Sequence, residues 1–112
     1  MKFIVAIIQP HRIDAVREAL NDAGINGLRV SEVRGYGRQR GHKEVYRGAE
    51  YSINYVPKLK LEIAVDDEKA EEVTDAIVRT ARTGKIGDGK IFVFDLNSAL
   101  RIRTGELGSQ AL

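Results

Sequence analysis

After Lys2, every side chain up to Ile8 is apolar: Phe3, Val5 and Ile7 alternate with Ile4, Ala6 and Ile8. Apolar residues on both faces of a strand predict a central strand covered on both sides. The period then changes. Ile13, Val16, Ala19 and Leu20 recur at helical spacing and Gly24 follows Ala23 as a terminator, predicting a helix over residues 12 to 23. Leu28, Val30 and Glu32 to Gly35 predict a second strand. In a third, Leu59, Leu61, Ile63 and Val65 alternate with Lys58, Lys60 and Glu62. Asp66 or Asp67 stands where a side chain can cap a second helix, whose apolar stripe is Ala70, Val73, Ile77 and Ala81. Ile91 to Asp95 make the fourth strand.

The order β-α-β-β-α-β is that of the ferredoxin-like α+β fold, in which helices cover one face of the sheet. The second apolar face of the first strand then lacks cover within the chain, which predicts self-association with clefts between copies. Between the second and third strands, residues 37 to 55 are far longer than a hairpin needs, with three glycines and no helical period. Loops of this size in small domains usually serve function. Within it Tyr51, flanked by Glu50 and Ser52, has little core to join and is a candidate for partner contact or covalent modification.

Composition narrows the classes. At 112 residues the chain is a single domain spanning 1–112, and 43% hydrophobic with 30% charged residues is ordinary globular composition. No apolar run approaches the ~20 residues of a membrane span, and the short apolar start has no small-residue cleavage site, so a cytoplasmic location is expected. The absence of cysteine removes disulfides, thiolate nucleophiles and cysteine metal sites. A net charge of +2 is too small for an obligate nucleic-acid binder, although Arg29, Arg34, Arg38, Arg40, Lys43 and Arg47 fall in one stretch.

The candidate chemistry lies in Gly84-Lys85-Ile86-Gly87-Asp88-Gly89-Lys90, a glycine-rich turn (residues 82–90) with two lysines. Glycines let backbone N–H groups converge on an anion. The spacing of Gly84, Gly89 and Lys90 matches the first part of a P-loop, but Ile91 stands where a Mg²⁺-binding Ser or Thr is required. The context is inverted too, since helix precedes and strand follows. A nucleotide bound here needs a metal ligand from elsewhere, which points to sensing rather than hydrolysis. On the heptapeptide alone, a plain glycine-rich turn fits equally well. His11 and His42 lie far apart without a nucleophile signature, and Glu68, Glu71, Glu72 and Asp75 read as the solvated face of the second helix. No catalytic constellation emerges, although slow incidental ATP hydrolysis is compatible with such a turn.

Three segments, Gly35 to Tyr51, Thr83 to Phe94 and Arg101 to Glu106, together resemble the PII nitrogen-regulatory signal proteins nearly in register along the whole chain. The resemblance implies a ferredoxin-like homotrimer that binds ATP or ADP in clefts between subunits, joined by Mg²⁺ and 2-oxoglutarate. It implies that residues 37–55 form the T-loop that docks on targets such as an ammonium transporter or the proteins controlling glutamine synthetase, with membrane association only through the transporter. By the same resemblance, Gly35, Tyr36, Gly37 and Arg38 line the nucleotide at the loop base and Glu62 and Ala64 belong to the adenine pocket. Gly87, Asp88, Gly89 and Lys90 hold the phosphates. Arg101 and Arg103, in the C-terminal loop 101–109, clamp the phosphate chain; two residues apart, they face one side if the segment is extended. Gln39 supplies an oxygen to Mg²⁺, and Gln39, Lys58 and Gly87 meet 2-oxoglutarate. Tyr51 matches the tyrosine that is uridylylated in many bacterial members, and Arg47, Tyr46 and Tyr51 contact partners.

The chain departs from the family pattern at Arg29, where a threonine commonly meets adenine, and at Gln9, usually a basic residue beside 2-oxoglutarate. Ala49 removes the serine phosphorylated in some relatives. These departures leave open an adenylate-only sensor without a 2-oxoglutarate response. An RNA-binding module shares the element order, but no RNP1 run is present, and Phe92 and Phe94 are expected in a buried strand.

Overall fold

The computed structural model describes residues 1–36 and 55–112, together with the backbone of two short strands inside the long loop. The elements are β1 (Lys2–Ile8), a 3₁₀ turn (Pro10–Arg12), α1 (Ile13–Asp22), β2 (Arg29–Gly35), β3 (Val45–Tyr46), β4 (Ala49–Glu50), β5 (Val56–Val65), α2 (Asp67–Ala81), β6 (Lys90–Asp95) and a second 3₁₀ turn (Gly108–Ala111). The four long strands form one antiparallel sheet in the order β2-β5-β1-β6, so β1 is central, as its two apolar faces require. This is the ferredoxin-like α+β arrangement. Inside the long loop, β3 and β4 pair as a two-stranded ribbon, with Val45 opposite Glu50 and Tyr46 opposite Ala49.

Alternation sorts the sheet into two faces. Ile4, Ala6 and Ile8 of β1 and Leu61, Ile63 and Val65 of β5 are buried under Val16 and Leu20 of α1 and Val73, Ala76, Ile77 and Ala81 of α2. On the opposite face Phe3, Val5 and Ile7 are half-buried, while Phe92 and Phe94 are 46% and 53% exposed. The expectation of a buried fourth strand therefore fails within one chain: β6 is an edge strand, and its rings have no helix above them.

The ends of α1 and α2 explain how the layers lock. Ile25 N–H donates to Leu20 O and Gly24 N–H to Asn21 O, a Schellman closure that needs the positive φ of 88° at Gly24 and sends Ile25 onto the core. Neither aspartate caps α2 through its side chain: Asp66 accepts instead from Ser109 Oγ at 2.5 Å, and Asp67 pairs with the N-terminal amine at 2.9 Å. That amine, as ion-pair and hydrogen-bond partner, holds the Asp67 carboxyl below its usual pKa. At the other end of α2, the Arg12 guanidinium donates through Nε and Nη2 to Thr80 O at 2.8 and 2.6 Å, satisfying an end carbonyl.

After α2 the chain turns back to lay β6 beside β1, and it does so through Gly89 with no room for a side chain. A Cβ at Gly89 would stand 1.7 Å from the Ile7 carbonyl oxygen, and its φ of 101° is left-handed. Gly89→Ala is expected to cost at least about 2 kcal/mol of stability, because main chain must shift in the central strand. A urea unfolding midpoint equal to that of the parent protein would contradict this account.

Candidate functional site

The glycine turn is built by Asp88. Its Oδ2 accepts from the N–H groups of Thr83 and Gly84, both at 2.8 Å, and its Oδ1 from Thr83 Oγ1 at 2.5 Å. A carboxylate bridging both ends of a six-residue segment closes it as a ring, while positive φ at Gly84, Gly87 and Gly89 lets the backbone reverse. The Thr83 hydroxyl and the turn's N–H donors hold the Asp88 carboxyl below its ordinary pKa. Asp88 is thus a brace for the turn, and its carboxylate is committed to that work. The Thr-Gly-x-x-x-Asp spacing was the available signal for this role.

Three strands bring further residues to the turn. Lys58, on the uncovered face of β5, donates its ammonium to Gly87 O across the sheet end, tying strand to turn. Its partial burial lowers the lysine pKa, with the Asp88 charge acting in the opposite sense. Two of the three residues anticipated for 2-oxoglutarate, Lys58 and Gly87, therefore touch. At the same end of the sheet Gly35 pairs with Val56 at the loop base, where Tyr36 and Tyr55 meet edge to face with ring centroids 5.6 Å apart. Tyr55 is thus a structural partner of Tyr36. Lys90 opens β6 on the same face, opposite Ile7. Further along that face stand Glu62, directly across from Arg29, and Ala64, across from Phe3. Gly37, Arg38, Gln39, Arg47 and Tyr51, and the side chain of Tyr46, lie outside the described residues.

Arg101 and Arg103, expected to clamp a phosphate chain, do not lie on an extended segment. Residues 102–104 form a turn rather than an extended segment, so Arg101 and Arg103 do not share one side by strand alternation. They sit on a hairpin closed by Arg101 N–H to Glu106 O at 2.9 Å, with Leu100 bridged to Leu107. Ser109 moors this hairpin to Asp66 before α2, whereas the glycine turn follows α2 at its far end. At 1.5 Å per residue, the fifteen residues of α2 put its two ends roughly 22 Å apart. The glycine turn and the point where the arginine hairpin is moored thus lie at opposite ends of α2.

A pocket of about 260 Å³ lies under the turn, bounded by Ile7, Ile77, Ala81, Arg82, Gly89 and Lys90. A larger groove of about 550 Å³ lies between α1 and β2 over Ile13, Ile25 and Leu28; it is remote from the turn. Among the described residues no group of three or more His, Asp or Glu could hold a metal ion, and no helix is long and apolar enough to cross a membrane. His11 and the acidic residues of α2 (Glu68, Glu71, Glu72, Asp75) are exposed.

Because Asp88 has a depressed pKa in the folded chain, its contribution to stability is complete above the ordinary carboxylate range. It is lost as pH falls through that range toward the depressed value. Asp88→Asn is expected to lower the melting temperature at neutral pH, with the gap to the parent closing as the solution is acidified. A gap that does not change with pH would overturn the assignment.

Comparison with known proteins bears on the whole chain. Residues 1–106 match the family model described as "Nitrogen regulatory protein P-II". The chain is 57% identical over 112 residues to the nitrogen regulatory protein P-II of Pasteurella multocida and to that of Rhizobium etli, covering all of both chains in each pair. It is likewise 57% identical to nitrogen regulatory protein P-II 1 of Escherichia coli over the full length of each. With the ferredoxin-like sheet, the braced glycine turn and the long loop between β2 and β5, these matches establish that the chain belongs to the PII family of nitrogen-regulatory signal transducers.

Proposed function

We propose that this chain is a non-catalytic, trimeric sensor that binds ATP or ADP between subunits and reports through residues 37–55. The observation that carries the reading is the separation of the glycine turn from the arginine hairpin along α2. If Gly87, Gly89 and Lys90 of one copy and Arg101 and Arg103 of a neighbour hold the same phosphate chain, the site exists only in the assembly. The uncovered sheet face supports association, since Phe3, Phe92 and Phe94 there need a partner surface. Gly35, Glu62 and Ala64 on that same sheet, with Tyr36 just beyond the end of β2, would line the nucleoside, and Asp88 would act through the turn's shape.

Mg²⁺ would ride on the nucleotide phosphates with an oxygen from Gln39, in keeping with the ion's preference for few protein ligands. Lys58, already drawn to Gly87, would meet a carboxylate of 2-oxoglutarate. The T-loop would carry Arg47, Tyr46 and Tyr51 to an ammonium transporter or to regulators of glutamine synthetase, with Tyr51 the site of uridylylation. An adenylate-only sensor is the second reading, favoured by Gln9, which withholds a charge from a dianionic ligand.

Calorimetric titration of ATP with Mg²⁺, followed by 2-oxoglutarate into the loaded protein, is expected to show micromolar binding in both steps. ATP binding alone would select the adenylate-only sensor, and silence in both steps would reject ligand sensing. Arg47→Ala is expected to abolish capture of the ammonium transporter in a pull-down without changing ATP affinity; undiminished capture would remove Arg47 from the docking surface.

A further inference from the structure

The arginine hairpin contains a residue whose chemistry the proposed site has not used. Arg101 Nη1 donates to Glu106 Oε1 at 2.9 Å, and that same oxygen accepts from Thr104 Oγ1 at 2.8 Å. Arg101 Nη2 donates to the main-chain oxygen of Leu112 at 3.1 Å. The backbone reinforces the pairing: Gly105 N–H donates to Arg101 O at 2.8 Å, with φ of 77° at Gly105, and Gly108 N–H donates to Ala99 O at 2.9 Å. Arg103, exposed on the turn, makes no hydrogen bond or ion pair with the described residues. Among the described residues, Arg101 is therefore held by side-chain bonds and Arg103 is not.

A guanidinium has five N–H donors in a rigid plane. Glu106 and Leu112 each take one, which leaves Nε–H and one donor on each terminal nitrogen, and the Arg101 side chain keeps 39% of its surface open. An arginine fixed on one side loses less rotamer freedom when an anion meets the other. We propose that Glu106 is a positioning residue for nucleotide binding, holding the Arg101 guanidinium so that its remaining donors face a phosphate of the nucleotide held by the neighbouring subunit's glycine turn. The proposal rests on the reading of Arg101 as a phosphate ligand and adds to it the group that orients it.

The opposite role is physically distinct. If Glu106 merely competed with the nucleotide for Arg101, deleting its negative charge would strengthen the binding of a polyanion. The direction of the effect separates the two.

The test is calorimetric titration of Mg²⁺-ATP into the full-length protein and its variants. Glu106→Ala is expected to weaken ATP binding about tenfold, the scale of one charge-assisted hydrogen bond. Glu106→Gln, whose amide oxygen still accepts from Arg101 in an unchanged shape, is expected to fall between Glu106→Ala and the parent. In an Arg101→Ala background neither substitution should matter. Unchanged or tighter binding by Glu106→Ala and Glu106→Gln would overturn the proposal, as would an equal loss in the Arg101→Ala background, which marks a purely structural effect. Failure of the underlying reading looks different: the parent protein does not bind ATP, or Arg101→Ala alone binds it normally, and either result removes the role of Glu106 as well.

Discussion

The central strand β1 has apolar side chains on both faces, but the chain supplies helices for only one of them. Ile4, Ala6 and Ile8 find Val16, Leu20, Val73 and Ile77; Phe3, Val5 and Ile7 find only their strand neighbours. Full burial of a Phe or Val side chain is worth about 1.5–3 kcal/mol, so the uncovered face, with Phe92 and Phe94 added from β6, is a strong drive toward association. The half-covered sheet also dictates where the chain must travel. Since α1 and α2 occupy the same side, β6 can reach the free edge of β1 only by a sharp return after α2. That return is the glycine turn, pressed so closely on Ile7 that Gly89 admits no side chain.

The length of α2 has a consequence of the same kind. It sets the glycine turn at one end of the sheet and the hairpin of Arg101, Glu106 and Ile102 at the other, with Ile102 97% exposed at the hairpin's tip. In the proposed site, phosphate binding and assembly become one equilibrium, because neither half of the anion cradle has its complement in the same chain. A ligand that bridges two copies then stabilises the assembly by mass action. The loop between β2 and β5 leaves from the turn's end of the sheet, and Lys58 touches Gly87 there. In the proposed site, a change at the phosphates is thereby adjacent to the base of the long loop.

Much of this was legible in the residues. Period-two and period-3.6 patterns located the four long strands and both helices to within a few residues, because burial against one core imposes those periods directly. Positions whose role depends on partners far along the chain were not legible. Asp66 and Asp67 have the composition of helix caps, yet Ser109 and the N-terminal amine claim them. Asp88 resembles a polar member of an anion site, yet its lone pairs belong to Thr83 and Gly84. Arg101 and Arg103 look paired by strand spacing, yet they sit on a hairpin turn and Arg101 is held by Glu106.

By itself the sequence determined the α+β class, the centrality of β1, the existence of a glycine turn and a long loop, and, through its extended motifs, membership of the PII family. Those properties follow from local periodicity, glycine placement and segment order. Only the tertiary structure decided which face of the sheet stays bare, that Phe92 and Phe94 are exposed in the single chain, which carboxylates serve as braces, and that the turn and the hairpin's mooring at Ser109 stand at opposite ends of α2. Those depend on how long elements pack in space, where residues distant in sequence compete for the same hydrogen bonds, and no local pattern records the winner.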